Sequence, residues 1–265
     1  MRPAMVDPTP ARWTALVLAG ERPGDDPVGR PFGATPKPLV EVAGRPMVAC
    51  VVDTLLRSPE IARVVVLAHD VATIAAVLPP RVRLLTSGPG IAASVRGVAG
   101  SADAPWPVLV TTADHPLLTP ASVAEFLRGV GEAEVAVGFA SRARVLARHP
   151  TTRRTWLRMR DGGWTGANLF ALTGPDARPA LDHWEGVERD RKRAWRLIAT
   201  FGPALAVRAL ARRLTVAEAL AEAGRRLGVR AVAVPLSDPD IAIDVDRPAD
   251  LRLAELALWA RTCST

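Results

Sequence analysis

Short apolar runs alternate with stretches of helical length along almost the whole chain, and this alternation constrains the fold more than any other feature. The runs are Ala15–Ala19, Val64–Ala68, Val82–Leu85, Val108–Thr111, Val135–Gly138, Asn168–Leu172 and Ala231–Val234, each bounded by Gly, Pro or acidic residues. Runs of this length with so little polar alternation read as strands buried on both faces. Between them the pattern predicts helices over Met47–Arg57, Val71–Leu78, Ile91–Val98, Pro120–Val130, Pro175–Val187, Trp195–Leu227 with breaks, and Ala249–Ala260. Alternating β and α elements imply an α/β fold with a Rossmann-like, mostly parallel mixed sheet covered by helices on both faces. Such sheets bind ligands beyond the carboxyl ends of their strands, so chemistry is expected just after each apolar run. No repeat, low-complexity tract or linker divides the 265 residues, which suffice for one large core. The expected organisation is a tail over 1–13 and one domain over 14–261, with a basic helical insertion over about 188–227.

Composition narrows the function classes. Aromatic residues make up 5% of the chain and Tyr is absent, so no interleaved stacking platform for nucleic-acid bases is visible. The two cysteines, Cys50 and Cys263, form no CxxC or Cys/His cluster, which supports neither a disulfide framework nor a zinc site. No long uncharged apolar stretch and no signal-peptide layout is present, and a cytoplasmic location is expected. The net charge of +7 is local. The segment from Arg189 to Arg213 carries eight basic residues against Asp190 alone, and the rest of the chain is balanced, so the charge is no diffuse coat for nucleic acid. Only two of the 34 basic residues are lysines, Lys37 and Lys192. In a chain that writes Arg almost everywhere, a Lys marks a place where a compact ammonium on a flexible stem is useful.

Three strand exits carry reactive residue types. The first leads through Leu18-Ala19-Gly20-Glu21-Arg22 and a Gly/Pro-rich loop to Thr35-Pro36-Lys37-Pro38-Leu39. Glycines let backbone N–H groups approach a polyphosphate, and a lysine at the far end of the loop can neutralise phosphate charge. The segment matches neither a Walker A loop nor the dinucleotide fingerprint. The second exit is Thr111-Thr-Ala-Asp114-His115-Pro116-Leu117, where a carboxylate at the end of a buried strand can hold Mg²⁺ against phosphate oxygens. His115 reads as a turn residue, since no second His or Cys is placed to share a metal with it. The third is Ile241-Ala-Ile-Asp244-Val-Asp246-Arg247-Pro248-Ala-Asp250-Leu251. Read as a strand, it puts Asp244 and Asp246 on one face, with Asp250 in the first turn of the following helix.

Taken in order, Leu-Ala-Gly…Lys-Pro-Leu, Thr-Ala-Asp-His-Pro-Leu, Gly-Ala-Asn-Leu-Phe and Asp-Val-Asp-Arg-Pro-Ala-Asp-Leu resemble the motifs of the MobA-like nucleotidyltransferases over Thr14 to Ala260. That superfamily includes molybdenum-cofactor guanylyltransferase, sugar-1-phosphate nucleotidyltransferases and methylerythritol-phosphate cytidylyltransferase. The resemblance implies binding of an NTP and Mg²⁺ and transfer of NMP to a phosphorylated small-molecule acceptor with release of pyrophosphate. It further implies that Leu18, Ala19, Gly20 and Arg22 line the nucleotide and phosphate loop, that Lys37 contacts the phosphates, and that Asp114 and Asp246 hold the metal. Ser94 is similar to a serine that faces the nucleotide, and Gly166 and Asn168 resemble an acceptor-side Gly-Asn turn. The loop departs from the family pattern: Glu21 stands where a second glycine is usual, and Pro-Gly-Asp-Asp-Pro comes after Arg22. Two alternatives stay open, a non-catalytic nucleotide-binding member and a glycosyltransferase using a sugar nucleotide, although the Asp-x-Asp here lies at the C-terminal end and not mid-chain.

An anionic acceptor needs a cationic seat, and the run Arg191-Lys192-Arg193 is the expected one, near Asn168. The other uses of that run are weak peripheral contact with anionic lipid and a merely solvated face.

Overall fold

A computed structural model describes residues 12–20, 35–189 and 212–262. The strands are β1 (Trp13–Leu18), β2 (Glu41–Val42), β3 (Arg45–Pro46), β4 (Ile61–Ala68), β5 (Arg83–Thr86), β6 (Val108–Thr112), β7 (Val135–Ser141), β8 (Leu157–Met159), β9 (Gly162–Leu172) and β10 (Ala231–Leu236). The helices among the described residues are α1 (Met47–Arg57), α2 (Val71–Ala75), α3 (Ile91–Val98), α4 (Pro120–Val130), α5 (Arg142–Arg148), α6 (Arg178–Arg189), α7 (Val216–Leu227) and α8 (Pro248–Thr262).

Eight strands form one sheet in the order β10-β7-β9-β6-β1-β4-β5, with β8 paired to β9. The β1–β4, β1–β6, β4–β5 and β7–β10 pairs are parallel, whereas β9 runs antiparallel to β6, β7 and β8. The sheet is therefore mixed and mostly parallel, as the alternation of elements implies. The beginning of β9 consequently lies at the same edge as the end of its antiparallel neighbour β7, where Ser141 pairs with Trp164. Alternate side chains serve opposite faces. Ala15, Val17 and Leu109 pack with Val51, Val52 and Leu55 of α1 and Phe126 of α4, while Leu16, Val65 and Val110 pack with Val95 of α3 and Leu181 of α6. Both faces of the sheet are thus covered.

Helices α1, α3 and α4 have the bounds expected from their patterns. Thr119 caps α4 through Ser122 N and Pro120 occupies its first turn. Helix α2 ends at Ala75, earlier than expected, and tighter turns lead on into Pro79-Pro80, because the residue before a proline is pushed out of helical geometry. Of the stretch expected to be helical from Trp195 to Leu227, residues 195–211 lie outside the described residues, and the remainder forms α7 behind a Thr215/Glu218 capping box.

The segment around Asp244 corrects the sequence reading. Residues Pro239–Ala242 form a 3₁₀ turn, and 243–246 continue as an extended chain outside any strand. Pro239 opens the turn and the Asp238 carboxylate accepts from Asp240 N, a local bond that competes with sheet pairing. Burial nevertheless alternates. Ile243 and Val245 are fully buried, whereas Asp244 and Asp246 face the other way, as expected of the two acids.

A small separate core decides where this segment sits. Val42, Met47, Leu117, Ile243, Val245, Ala254 and Ala257 pack together, joining the β2–β3 hairpin, the turn after β6, the extended segment and α8. The hairpin turns at Ala43 and Gly44, both with positive φ (51° and 75°), as a two-residue connection requires. Three stretches of chain carrying Lys37, Asp114 and Asp246 are thereby anchored to one apolar cluster.

Candidate active site

Lys37 begins a 3₁₀ turn, Lys37–Leu39, whose backbone closes through Leu39 N to Pro36 O (2.8 Å) and Val40 N to Lys37 O (3.2 Å). Asp114 lies just past β6, where Ala113 N donates to Leu18 O at 3.0 Å and ties the exits of β6 and β1. Asp246 is held by its neighbour: Val245 N donates to the Asp114 carbonyl at 2.9 Å. These placements bring the Lys37 ammonium 2.5 Å from Asp114 Oδ2 and 2.5 Å from Asp246 Oδ1. Residues separated by 77 and 209 positions therefore meet at one nitrogen. Burial works to raise the pKa of Asp114, but the ammonium beside it more than compensates and holds the carboxyl below its ordinary value. For Lys37 burial opposes the charged form, and the attraction of Asp114 and then Asp246 overrides it, leaving the pKa raised.

The donor set suits a hard divalent cation. Asp114 Oδ1 is buried without a hydrogen-bond partner among the described residues, and Asp246 is half exposed, with carboxylate oxygens only. No group of three or more His, Cys, Asp or Glu side chains able to hold a metal occurs among the described residues. Two carboxylates completed by phosphate oxygens is the arrangement magnesium favours.

Asp244, the other acid of the Asp-x-Asp pair, has different partners. Arg154, whose side chain is only 8% exposed, pairs with the Asp244 carboxylate, donates to the Asp244 carbonyl at 2.8 Å and lies 3.6 Å from Asp250. Asp250 Oδ2 in turn accepts from Arg247 N at 3.0 Å and closes the start of α8, in keeping with its expected place in the first turn. Asn168 reaches the same carboxylate, Nδ2 to Oδ2, at 3.4 Å. It does so from a bulge: between the partners Val137–Phe170 and Phe139–Gly166 an advance of two positions along β7 is matched by four along β9, and Asn168 has a left-handed φ of 50°. Asparagine tolerates that region better than most residues, and bulges re-aim side chains beside active sites. Gly166 and Asn168 thus lie within a bulged strand and not in the Gly-Asn turn that the resemblance suggests. The position of a Cβ on Gly166 meets nothing within 4 Å, so the strand has open space there.

A neighbouring cluster forms at the ends of β1, β4 and β5. Leu18 closes β1, Ala19 N donates to Leu67 O at 2.8 Å, and a Cβ on Gly20 would stand 3.6 Å from Ser87 Oγ and 3.9 Å from His69 Cε1. Ser87 and His69 are hydrogen-bonded to each other. Ser94 Oγ donates to Gly90 O at 2.6 Å and accepts from Gly88 N at 2.8 Å, so its hydroxyl shapes the turn between β5 and α3. Arg22, Arg191, Lys192 and Arg193 lie outside the described residues.

Sequence reasoning passed over Arg154, His69 and Ser87. The two strand-end residues carry a usable signal, since His69 directly follows the apolar run ending at Ala68 and Ser87 comes two positions after the run ending at Leu85. Arg154 carried no local signal, because its partner is 90 positions away.

His115 is a structural tie. It is fully buried, and its Nε2–H donates to Ile241 O at 2.5 Å, pinning the 3₁₀ turn against the exit of β6. Burial lowers its pKa from 6.5. Below that value the unfolded chain binds a proton that the folded chain refuses, so the contribution is fully present above pH 6.5 and falls as the pH falls toward the folded value. The loss reaches at most about 1.4 kcal/mol per pH unit. His115→Gln, which keeps an N–H donor, is expected to flatten this dependence in urea unfolding between pH 7.5 and 5.5. An unchanged dependence would remove His115 as its source.

A family model for the MobA-like NTP transferase domain matches residues 15–230. A hypothetical transferase from Thermus thermophilus superposes with a TM-score of 0.78 at 32% identity, over 91% of this chain and 99% of that one. A 4-diphosphocytidyl-2C-methyl-D-erythritol synthase from Anaerococcus prevotii (TM-score 0.56, 11% identity, 94% and 99% covered) shares the fold. So does a CMP:2-keto-3-deoxy-manno-octonic acid synthetase complexed with CTP (TM-score 0.56, 17% identity, 94% and 99% covered). No curated protein matches the sequence.

Proposed function

Because the chain belongs to the MobA-like NTP transferase family, we propose that it transfers NMP from an NTP to a phosphorylated small-molecule acceptor, in a magnesium-dependent reaction that releases pyrophosphate. The activity class, nucleotidyltransferase, comes with the family. The observation that carries the finer reading is the convergence of Lys37, Asp114 and Asp246 at the edge where the parallel strands end.

In this reading an acceptor phosphate oxygen attacks the α-phosphorus in line, the bond to the bridging oxygen breaks, and pyrophosphate leaves with the electron pair. A phosphate acceptor is already ionised at neutral pH, so no general base is needed. The protein's part is positioning and charge compensation. Leu18, Ala19 and Gly20 bring backbone close to the nucleotide, with Ser94 shaping the adjoining turn. Asp114 and Asp246 are the residues that would hold magnesium, which supplies charge neutralisation on the phosphates when bound. Lys37, on its flexible stem, meets the departing phosphates. Arg22 would add to that compensation. Gly166 and Asn168 face the acceptor side, and Arg191, Lys192 and Arg193 would clamp its anionic group.

Pyrophosphate release measured with each of the four NTPs, magnesium and a panel of phosphorylated sugars and alcohols tests the proposal. One NTP should give release that depends on one acceptor class. Nucleotide binding without release under every combination would point to a non-catalytic member, and, in a parallel assay supplied with sugar nucleotides, their consumption would point to glycosyl transfer.

A further inference from the structure

We propose that Lys37 holds the cation seat closed in the nucleotide-free protein, so that a divalent metal enters only together with a triphosphate that draws the ammonium away. The proposal rests on the reading of Asp114 and Asp246 as the metal-holding pair. It adds that one oxygen of each carboxylate, Asp114 Oδ2 and Asp246 Oδ1, is already engaged at 2.5 Å by one ammonium. Asp114 Oδ1 has no hydrogen-bond partner among the described residues, but an ammonium seated between the two carboxylates repels a divalent cation brought to the same place, since both are cations at contact distance.

The surroundings allow exchange by a side-chain movement alone. The Lys37 backbone is set in its 3₁₀ turn between Pro36 and the buried Pro38, and Val42, Leu117, Ile243 and Val245 hold the three contributing stretches on one core. The backbone carrying each carboxylate is therefore fixed, while the lysine side chain has four rotatable bonds and remains 35% exposed. A triphosphate offers the ammonium a stronger set of anionic oxygens. Once it swings to them, two carboxylates are left facing each other across the seat. The metal that arrives with the nucleotide then satisfies both, so nucleotide and metal binding are coupled through one residue.

Mn²⁺ alone, titrated into the full chain and followed by electron paramagnetic resonance of the free ion, reads this directly. Lys37→Met, which keeps an apolar stem and removes the charge, is expected to bind Mn²⁺ at least tenfold more tightly than the wild type, and Lys37→Met/Asp114→Asn should lose that gain. Lys37→Gln replaces Lys37→Met if the latter does not fold by circular dichroism. Arg247→Gln removes a nearby positive charge outside the seat and should change the affinity by less than threefold. Equal tightening by Arg247→Gln and Lys37→Met would overturn the latch in favour of general charge. No tightening by Lys37→Met, with Mn²⁺ binding still sensitive to Asp114→Asn, would overturn the latch and leave the metal reading standing. Tightening that survives Asp114→Asn would overturn both.

Discussion

Asp114→Asn is expected to lower nucleotidyl transfer by about a hundredfold or more, the scale of losing a preorganised charge at a reacting phosphate. The substitution keeps the size of the side chain, so a large fall in turnover reports charge and not packing. In the wild-type chain the ammonium of Lys37 holds Asp114 ionised against its burial. The carboxylate therefore stays charged well into the acidic range. Its contribution to stability, and that of the charge to catalysis, is present above the ordinary carboxyl pKa and is lost as the pH falls through the lower folded value. With Asn at this position the amide presents one oxygen without charge, while Lys37 keeps its pairing with the more exposed Asp246. Initial rates at saturating NTP, once the productive NTP and acceptor are known, give the comparison, and Asp246→Asn should fall in the same direction. Turnover within threefold of the wild type for Asp114→Asn would remove it from the reaction.

Arg154→Met is expected to cost about 3–5 kcal/mol of folding stability, the scale for removing one partner of a buried ion pair. The methionine fills much of the stem volume but, among the described residues, leaves the Asp244 carboxylate with only the 3.4 Å contact from Asn168, and leaves the Asp244 carbonyl without the Arg154 donor. The carboxylate at Asp250 also loses the nearby guanidinium. Most of the cost is the uncompensated charge at Asp244, so Arg154→Met/Asp244→Asn should recover a substantial part of the lost stability. Urea unfolding of the two single variants and the double variant forms the cycle. Additive losses in the double variant would show that Arg154 and Asp244 act independently.

The two largest effects fall on residues that differ in how they can be read from a linear chain. Asp114 stands at the exit of an apolar run, in a Thr-Ala-Asp-His-Pro-Leu setting, and its role as a strand-end carboxylate is a local inference. Arg154 stands in Thr-Thr-Arg-Arg-Thr, a polar stretch with the look of an ordinary surface loop. Only folding buries its guanidinium against Asp244.

The same division runs through the fold. Local physics decides helix bounds: the Thr119 cap with Pro120 starts α4, and apolar spacing places α1 and α3, all within a few residues of chain. It also decides that the apolar runs are strands and that ligands should gather after them. Strand direction is different, because a buried run such as Asn168–Leu172 has the same composition whichever way its neighbours point; β9 pairs antiparallel through contacts with β6 and β7. The third acidic motif shows the limit most clearly. Its alternation of Ile243, Asp244, Val245 and Asp246 is written in the chain and survives in the folded protein as alternating burial. Whether that alternation is expressed as a strand, however, depended on a partner for its hydrogen bonds, and Asp238, the 3₁₀ turn and His115 offered other bonds first. The resemblance points to Asp246, and the physical reason that it and not Asp244 faces Lys37 is tertiary. Asp244 is taken up by the buried guanidinium of Arg154, which the fold alone brings there, whereas Asp246 meets the partly exposed ammonium of Lys37 on its flexible stem.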